Sequence, residues 1–102
     1  MNESPLYHNI KKELAVLKRT INIYCIIEKE QPIGISKLSE KLGIPEHKVR
    51  YSLRMLEKEN MIEPSPVGAT LTENHPEFKN ELKDLLKSIS KLSNSLYEDL
   101  CD

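Results

Sequence analysis

Apolar positions recur every three or four residues through most of this chain, and breaks in that rhythm divide it into elements. Leu6, Ile10, Leu14, Leu17, Ile21 and Tyr24 keep the spacing, which puts them on one face of a helix. Ser4 and Pro5 precede them. A serine N-cap followed by proline at the first helical position is a start signal, so a long first helix is expected over residues 5–30. Ile23, Ile26 and Ile27 widen its apolar surface, and its later half is expected to pack on more than one side. Gln31-Pro32 ends it, because proline disfavours helical geometry at the preceding residue.

Ile35, Leu38 and Leu42 then mark one face of a short helix, with Gly34 at the N-cap and Gly43 at the end. Glycine accepts the left-handed conformation that helix ends often need. Ile44-Pro45 follows, and proline suits a first helical turn, so a second helix is expected to start near Pro45. In it Val49, Leu53 and Leu56 form an apolar face. Asn60 stands where this helix should stop, and asparagine is the usual substitute for glycine at a left-handed cap. Met61-Ile62-Glu63 starts a strand, Pro64-Ser65-Pro66-Val67-Gly68 is rich in turn formers, and Ala69-Thr70-Leu71 returns as a second strand. Ile33 is a candidate third, very short strand beside that hairpin. Thr72 is the expected cap of the last helix, with Pro76 in its first turn. There Phe78, Leu82, Leu85, Ile89, Leu92 and Leu96 follow at spacings of 4, 3, 4, 3 and 4. That is a 3.5-residue repeat, the seam of a coiled coil. Some 25 residues at about 1.5 Å each give about 37 Å of helix, longer than the rest needs.

Two short helices joined by a tight glycine turn make a helix-turn-helix, and a hairpin behind it makes a winged helix. From about Pro32 to Glu73 the chain resembles the winged helix-turn-helix transcription regulators, including the MarR-like and ArsR-like groups and small archaeal regulators. The carriers are Ser36 through Ile44, Val49, Leu53, Leu56 through Ile62, and Leu71-Thr72-Glu73. Ser39 stands where that family usually has alanine, at the close crossing of the two helices; serine is nearly as small and can bond back to its own helix. The resemblance implies a mainly α fold with a small β-hairpin wing and long N- and C-terminal helices. One domain over residues 1–102 is expected, divided into a first helix (5–30), helix-turn-helix and wing (32–73), and a dimerisation helix (74–100).

The solvent face of the second short helix carries the candidate chemistry: His47, Lys48, Arg50, Tyr51 and Arg54. Arginine offers a planar fork that grips a phosphate or reads guanine O6 and N7. Lys48, near the helix start, suits a phosphate; His47 and Tyr51 suit backbone or base edges. Glu46 in the first turn suits the helix dipole. The plain alternative is a solvated face in which Arg54 or Lys58 pairs with Glu57 or another local acid. Residues 64–72 contain no cation, whereas wings of this kind often carry one at the tip. Wing phosphate contacts are therefore assigned to Ser65, Thr70 and backbone amides near Gly68.

Composition narrows the picture. The chain has 102 residues, 38% of them hydrophobic, no Trp, and a formal net charge of -1. A core this small benefits from dimerisation, and any nucleic-acid contact must come from a local patch. Dimerisation is assigned to Leu6, Ile10, Leu82, Leu85, Ile89, Leu92 and Leu96. Cys25, in an apolar stretch, is expected in the core; Cys101 is expected as a free thiol, with a bridge across a parallel dimer as the alternative. His8, His47 and His75 are scattered, and no metal spacing, phosphate loop, nucleophile elbow or paired-carboxylate pattern appears. No enzyme activity, cofactor or small-molecule ligand is expected. No apolar run approaches a membrane span and no signal peptide is visible, so the protein is expected in the cytoplasm. The leading function is a homodimeric, sequence-specific regulator binding double-stranded DNA with its recognition helix in the major groove. The alternative is a winged-helix protein-interaction module, since fold does not fix function.

Overall fold

A computed structural model describes residues 4–101. Met1–Glu3 and Asp102, which the single-domain expectation includes, lie outside the described residues. The order is α1 (Pro5–Glu30), α2 (Ile35–Leu42), α3 (Glu46–Lys58), β1 (Ile62–Ser65), β2 (Gly68–Leu71) and α4 (His75–Leu100). This is a winged helix-turn-helix with long terminal helices.

Local signals explain most boundaries. The Ser4 side chain accepts from the Tyr7 amide at 3.1 Å and Pro5 opens α1. Gly43 closes α2 at φ 64° and Asn60 follows α3 at φ 62°, both in the left-handed region. Pro45 takes the N-cap position of α3 with extended backbone, one residue earlier than a first-turn proline. Thr72 does not cap α4: Asn74 is the N-cap, and the Thr72 hydroxyl donates to the Asn60 carbonyl, tying the end of the wing to the end of α3. Pro76 does sit in the first turn. The Ser39 hydroxyl reaches across the turn to the Ile44 carbonyl instead of bonding within its own helix.

The core lies where α1, α2, α3 and the hairpin converge. Ile23, Tyr24 and Ile27 of α1 meet Leu38, Val49, Leu53, Leu56, Met61, Ile62 and Ala69. Each such aliphatic side chain contributes about 1.5–3 kcal/mol when fully buried. The antiparallel hairpin pairs Ile62 with Leu71 and Ser65 with Gly68. Ile33 joins it through two hydrogen bonds with Ala69, at 3.2 and 2.8 Å. Gly68 (φ 131°) makes this possible: a Cβ there would lie 2.5 Å from the Ile33 carbonyl carbon.

Cys25 is exposed, contrary to the sequence expectation. A helix turns 100° per residue, so a residue bracketed by core positions 23, 24, 26 and 27 can still point to water. Cys101 is exposed and unbridged.

α4 touches this core only at its start. Phe78 and Leu82 pack against it. The Tyr24 hydroxyl lies 2.6 Å from His75 Nδ1, and Lys79 Nζ lies 2.8 Å from Glu28 Oε2. From Lys83 to Cys101 every residue is exposed. The result is an elongated molecule of 56 × 35 × 20 Å with a radius of gyration of 16.1 Å, against about 13 Å for a compact chain of this length.

Candidate nucleic-acid interface

α3 has a buried and a solvent side, and both are set by its sequence period. Val49, Ser52, Leu53 and Leu56 face inward. Ser52 is the polar member of that set and is fully buried. Its Oγ accepts from Arg19 Nε at 3.0 Å and shares a 2.9 Å hydrogen bond with Thr20 Oγ1. These bonds fix the rotation of α3 about its own axis relative to α1, and so fix which side chains face out. At the start of α3, Ser36 Oγ donates to Glu46 Oε2 at 3.2 Å. Glu46 thus links the two helices of the motif besides sitting at a helix N-terminus.

Opposite the buried side lie His47, Arg50, Tyr51 and Arg54, all exposed. Arg50 and Arg54 stand one turn apart and make no ion pair among the described residues. The pairing of Arg54 or Lys58 with Glu57 is not formed, so both guanidinium forks remain open to a ligand. Tyr51 is held sideways: the Arg19 guanidinium lies 6.0 Å from its ring centroid. Lys48 points along the side of α3 nearest α1, where it shares a furrow with Arg19 and Ala15. The five predicted residues therefore occupy one helix but two directions, with Arg50 and Arg54 outward and His47, Lys48 and Tyr51 lining the furrow beside α1.

The wing positions have internal work. Ser65 Oγ donates to the Gly68 carbonyl at 2.6 Å and accepts from the Val67 amide at 3.3 Å. Thr70 Oγ1 donates to the Glu63 carbonyl at 3.4 Å. Gly68 faces the Ile33 backbone. The hairpin is further pinned by Gln31, whose Oε1 accepts from the Leu71 amide at 2.8 Å. Of the positions assigned to dimerisation, Leu6, Ile10, Leu85, Ile89, Leu92 and Leu96 are exposed, whereas Leu82 packs partly on its own core.

Sequence reasoning missed Arg19 and Ser52. Ser52 was findable: it stands three residues after Val49 and four before Leu56, on the apolar face by spacing. Arg19 carries no such mark, because its partner is 33 residues away.

A family model described as the CggR N-terminal DNA binding domain matches residues 16–86, from the middle of α1 into α4. The chain belongs to the CggR N-terminal DNA-binding domain family. The resemblance to winged helix-turn-helix regulators thus holds at the level of a DNA-binding regulator, and the match is to this family and not to the MarR or ArsR groups. The chain is 32% identical over 80 residues to the central glycolytic genes regulator of Bacillus subtilis, covering 78% of this chain and 24% of that protein. It is likewise 32% identical over 79 residues to the protein of the same name from Priestia megaterium, covering 78% and 23%. The chain spans about a quarter of the length of these curated relatives. Both are gene regulators by name, and the matched region is a DNA-binding domain. No helix of the described residues is long and apolar enough to cross a membrane.

Proposed function

We propose that this chain is a sequence-specific, double-stranded-DNA-binding transcription regulator that acts as a homodimer, with α3 in the major groove. One observation carries the reading: Arg50 and Arg54, which make no ion pair among the described residues, stand on the outward side of a helix whose opposite side is locked to α1. Arg50 and Arg54 read base edges or clamp phosphates, His47 adds a contact at the helix start, and Lys48 anchors backbone.

The dimer reading rests on the unpartnered apolar seam of α4. Leu85, Ile89, Leu92 and Leu96 are between 37% and 58% exposed. Burying such half-exposed side chains against a second copy contributes on the order of 1 kcal/mol each. Leu6 and Ile10 extend the surface. Twofold symmetry then requires an inverted repeat whose half-sites lie about one helical turn apart. Residues 32–73 act as the reading unit and residues 74–100 as the dimerisation helix of one domain.

Binding of a labelled duplex, followed by anisotropy at increasing salt, tests the assignment. Wild-type affinity should fall steeply with salt as condensed counterions are released. Arg50→Ala with Arg54→Ala should abolish sequence preference while leaving the circular dichroism spectrum and the mass unchanged. A variant that keeps full preference removes these two residues from the site. Salt-insensitive or absent binding by the wild type favours the protein-interaction alternative.

A further inference from the structure

The outward face of α3 has two flanks, and they differ in charge. On the flank toward α2 and the wing, the bordering groove holds Lys37 with Glu40 and Glu57. On the flank toward α1, the furrow holds Lys12, Lys18, Arg19 and Lys48 with Glu13. One flank therefore repels phosphate on balance and the other attracts it. This asymmetry matters because a helix in the major groove, about 12 Å wide, has a sugar-phosphate backbone on each side.

The cations of the α1 flank are also available. Lys12 and Lys18 are exposed and make no ion pair or hydrogen bond among the described residues. Arg19 uses Nε for Ser52, and its guanidinium lies 6.0 Å from the Tyr51 ring centroid. Ala15 lies between these side chains, and its methyl group leaves room for a close backbone approach. At 100° per residue, Lys12 and Arg19 fall on the side of α1 opposite Leu6, Ile10 and Leu14. Lys18 lies about 80° from Ile10 on the same wheel, at the edge of the stripe, so a partner packed there leaves the Lys12 and Arg19 part of the furrow open.

We infer that α1 is part of the DNA interface: the furrow between α1 and α3 takes the phosphate backbone on one side of the major groove, gripped by Lys12, Lys18 and Lys48. The inference rests on the DNA-binding reading above and deepens it. It assigns to the first helix the cationic backbone grip that the wing, without Lys or Arg, does not supply. The contact is with phosphate, so it carries affinity and register but no sequence preference.

The test is the salt dependence of binding by the full chain to a duplex of random sequence and to its preferred sequence. Each lost phosphate contact lowers the slope of log K against log salt by about 0.9. Lys12→Ala with Lys18→Ala should therefore flatten the slope by about 1.8 per protomer, weaken both duplexes by the same factor, and leave sequence preference intact. Lys12→Arg with Lys18→Arg should restore the slope. Lys87→Ala with Lys91→Ala, on the water-facing side of α4, should change nothing. A wild-type slope in the Lys12→Ala, Lys18→Ala variant overturns the inference and leaves the role of Arg50 and Arg54 standing. A wild type that binds no DNA overturns both.

Discussion

Replacing Ser52 with alanine removes one oxygen, yet it should be among the costlier single changes in α3. Ser52 is fully buried and Thr20 is 8% exposed. The substitution deletes the Arg19 bond at 3.0 Å and the Thr20 bond at 2.9 Å. Each such bond contributes about 0.5–1.5 kcal/mol net, and a buried hydroxyl left without a partner costs about 1–3 kcal/mol. Two effects soften this. The Arg19 side chain can swing its charge into water, and the Thr20 hydroxyl can turn to the carbonyl four residues earlier. The expected cost is about 2 kcal/mol, or a Tm lowered on the order of 10 °C for a chain of this size. Urea unfolding at fixed protein concentration measures it. Thr20→Val completes a double-mutant cycle. Removing both hydroxyls leaves no orphaned group, so the double variant should be more stable than the summed single costs imply, by about 1 kcal/mol. Additive costs, or a Ser52→Ala variant within about 0.5 kcal/mol of wild type, would refute the idea that this pair fixes the seat of α3.

Three further outcomes follow from other parts of the molecule. Gly68→Ala places a Cβ against backbone atoms of Ile33 and Gly34 at 2.5–2.8 Å; the wing must part from Ile33, costing at least ~2 kcal/mol, and an unchanged Tm would contradict this. Burial, and then the charge of Glu28, raise the Tyr24 hydroxyl from 10.0 to about 12. The folded chain keeps a proton that the unfolded chain releases near pH 10, so this share of stability is present below pH 10 and lost as pH rises toward 12. The hydrogen bond from Lys79 to Glu28 raises the Lys79 ammonium in the same sense. Unfolding midpoints should therefore fall less across this range in Tyr24→Phe than in wild type, and equal falls would count against the cause given. Leu85→Asp with Ile89→Asp should convert a dimer to a monomer in sedimentation equilibrium at tens of micromolar, and an unaltered mass would remove the α4 seam from the interface.

The fold was legible wherever a short-range rule applied. Gly43 and Asn60 were read as left-handed caps because few other residues accept that backbone, and both have positive φ. Ile35, Leu38 and Leu42 mark α2 by spacing alone, and Ile33, the candidate short strand beside the hairpin, does pair with Ala69. Errors fell where the decision is tertiary. Thr72 has good capping chemistry, but the Asn60 carbonyl competes for its hydroxyl. Cys25 sits among isoleucines in sequence and on the water side in space. The later part of α1 packs on the core, and Leu6, Ile10 and Leu14 stay exposed, as expected of a stripe whose early part is assigned to a partner subunit. The candidate site was legible as a helix face and not as a surface. The sequence pattern picks out Arg50 and Arg54, whereas Arg19, Lys12 and Lys18 enter only when α1 lies alongside α3.

Selection of bound sequences from a pool of random double-stranded DNA, with purified protein at moderate salt, tests the central claim most directly. A homodimer reading through Arg50 and Arg54 predicts an enriched inverted repeat with half-site centres about 10 base pairs apart. A folded protein that enriches no sequence, or enriches a single site without symmetry, would contradict it.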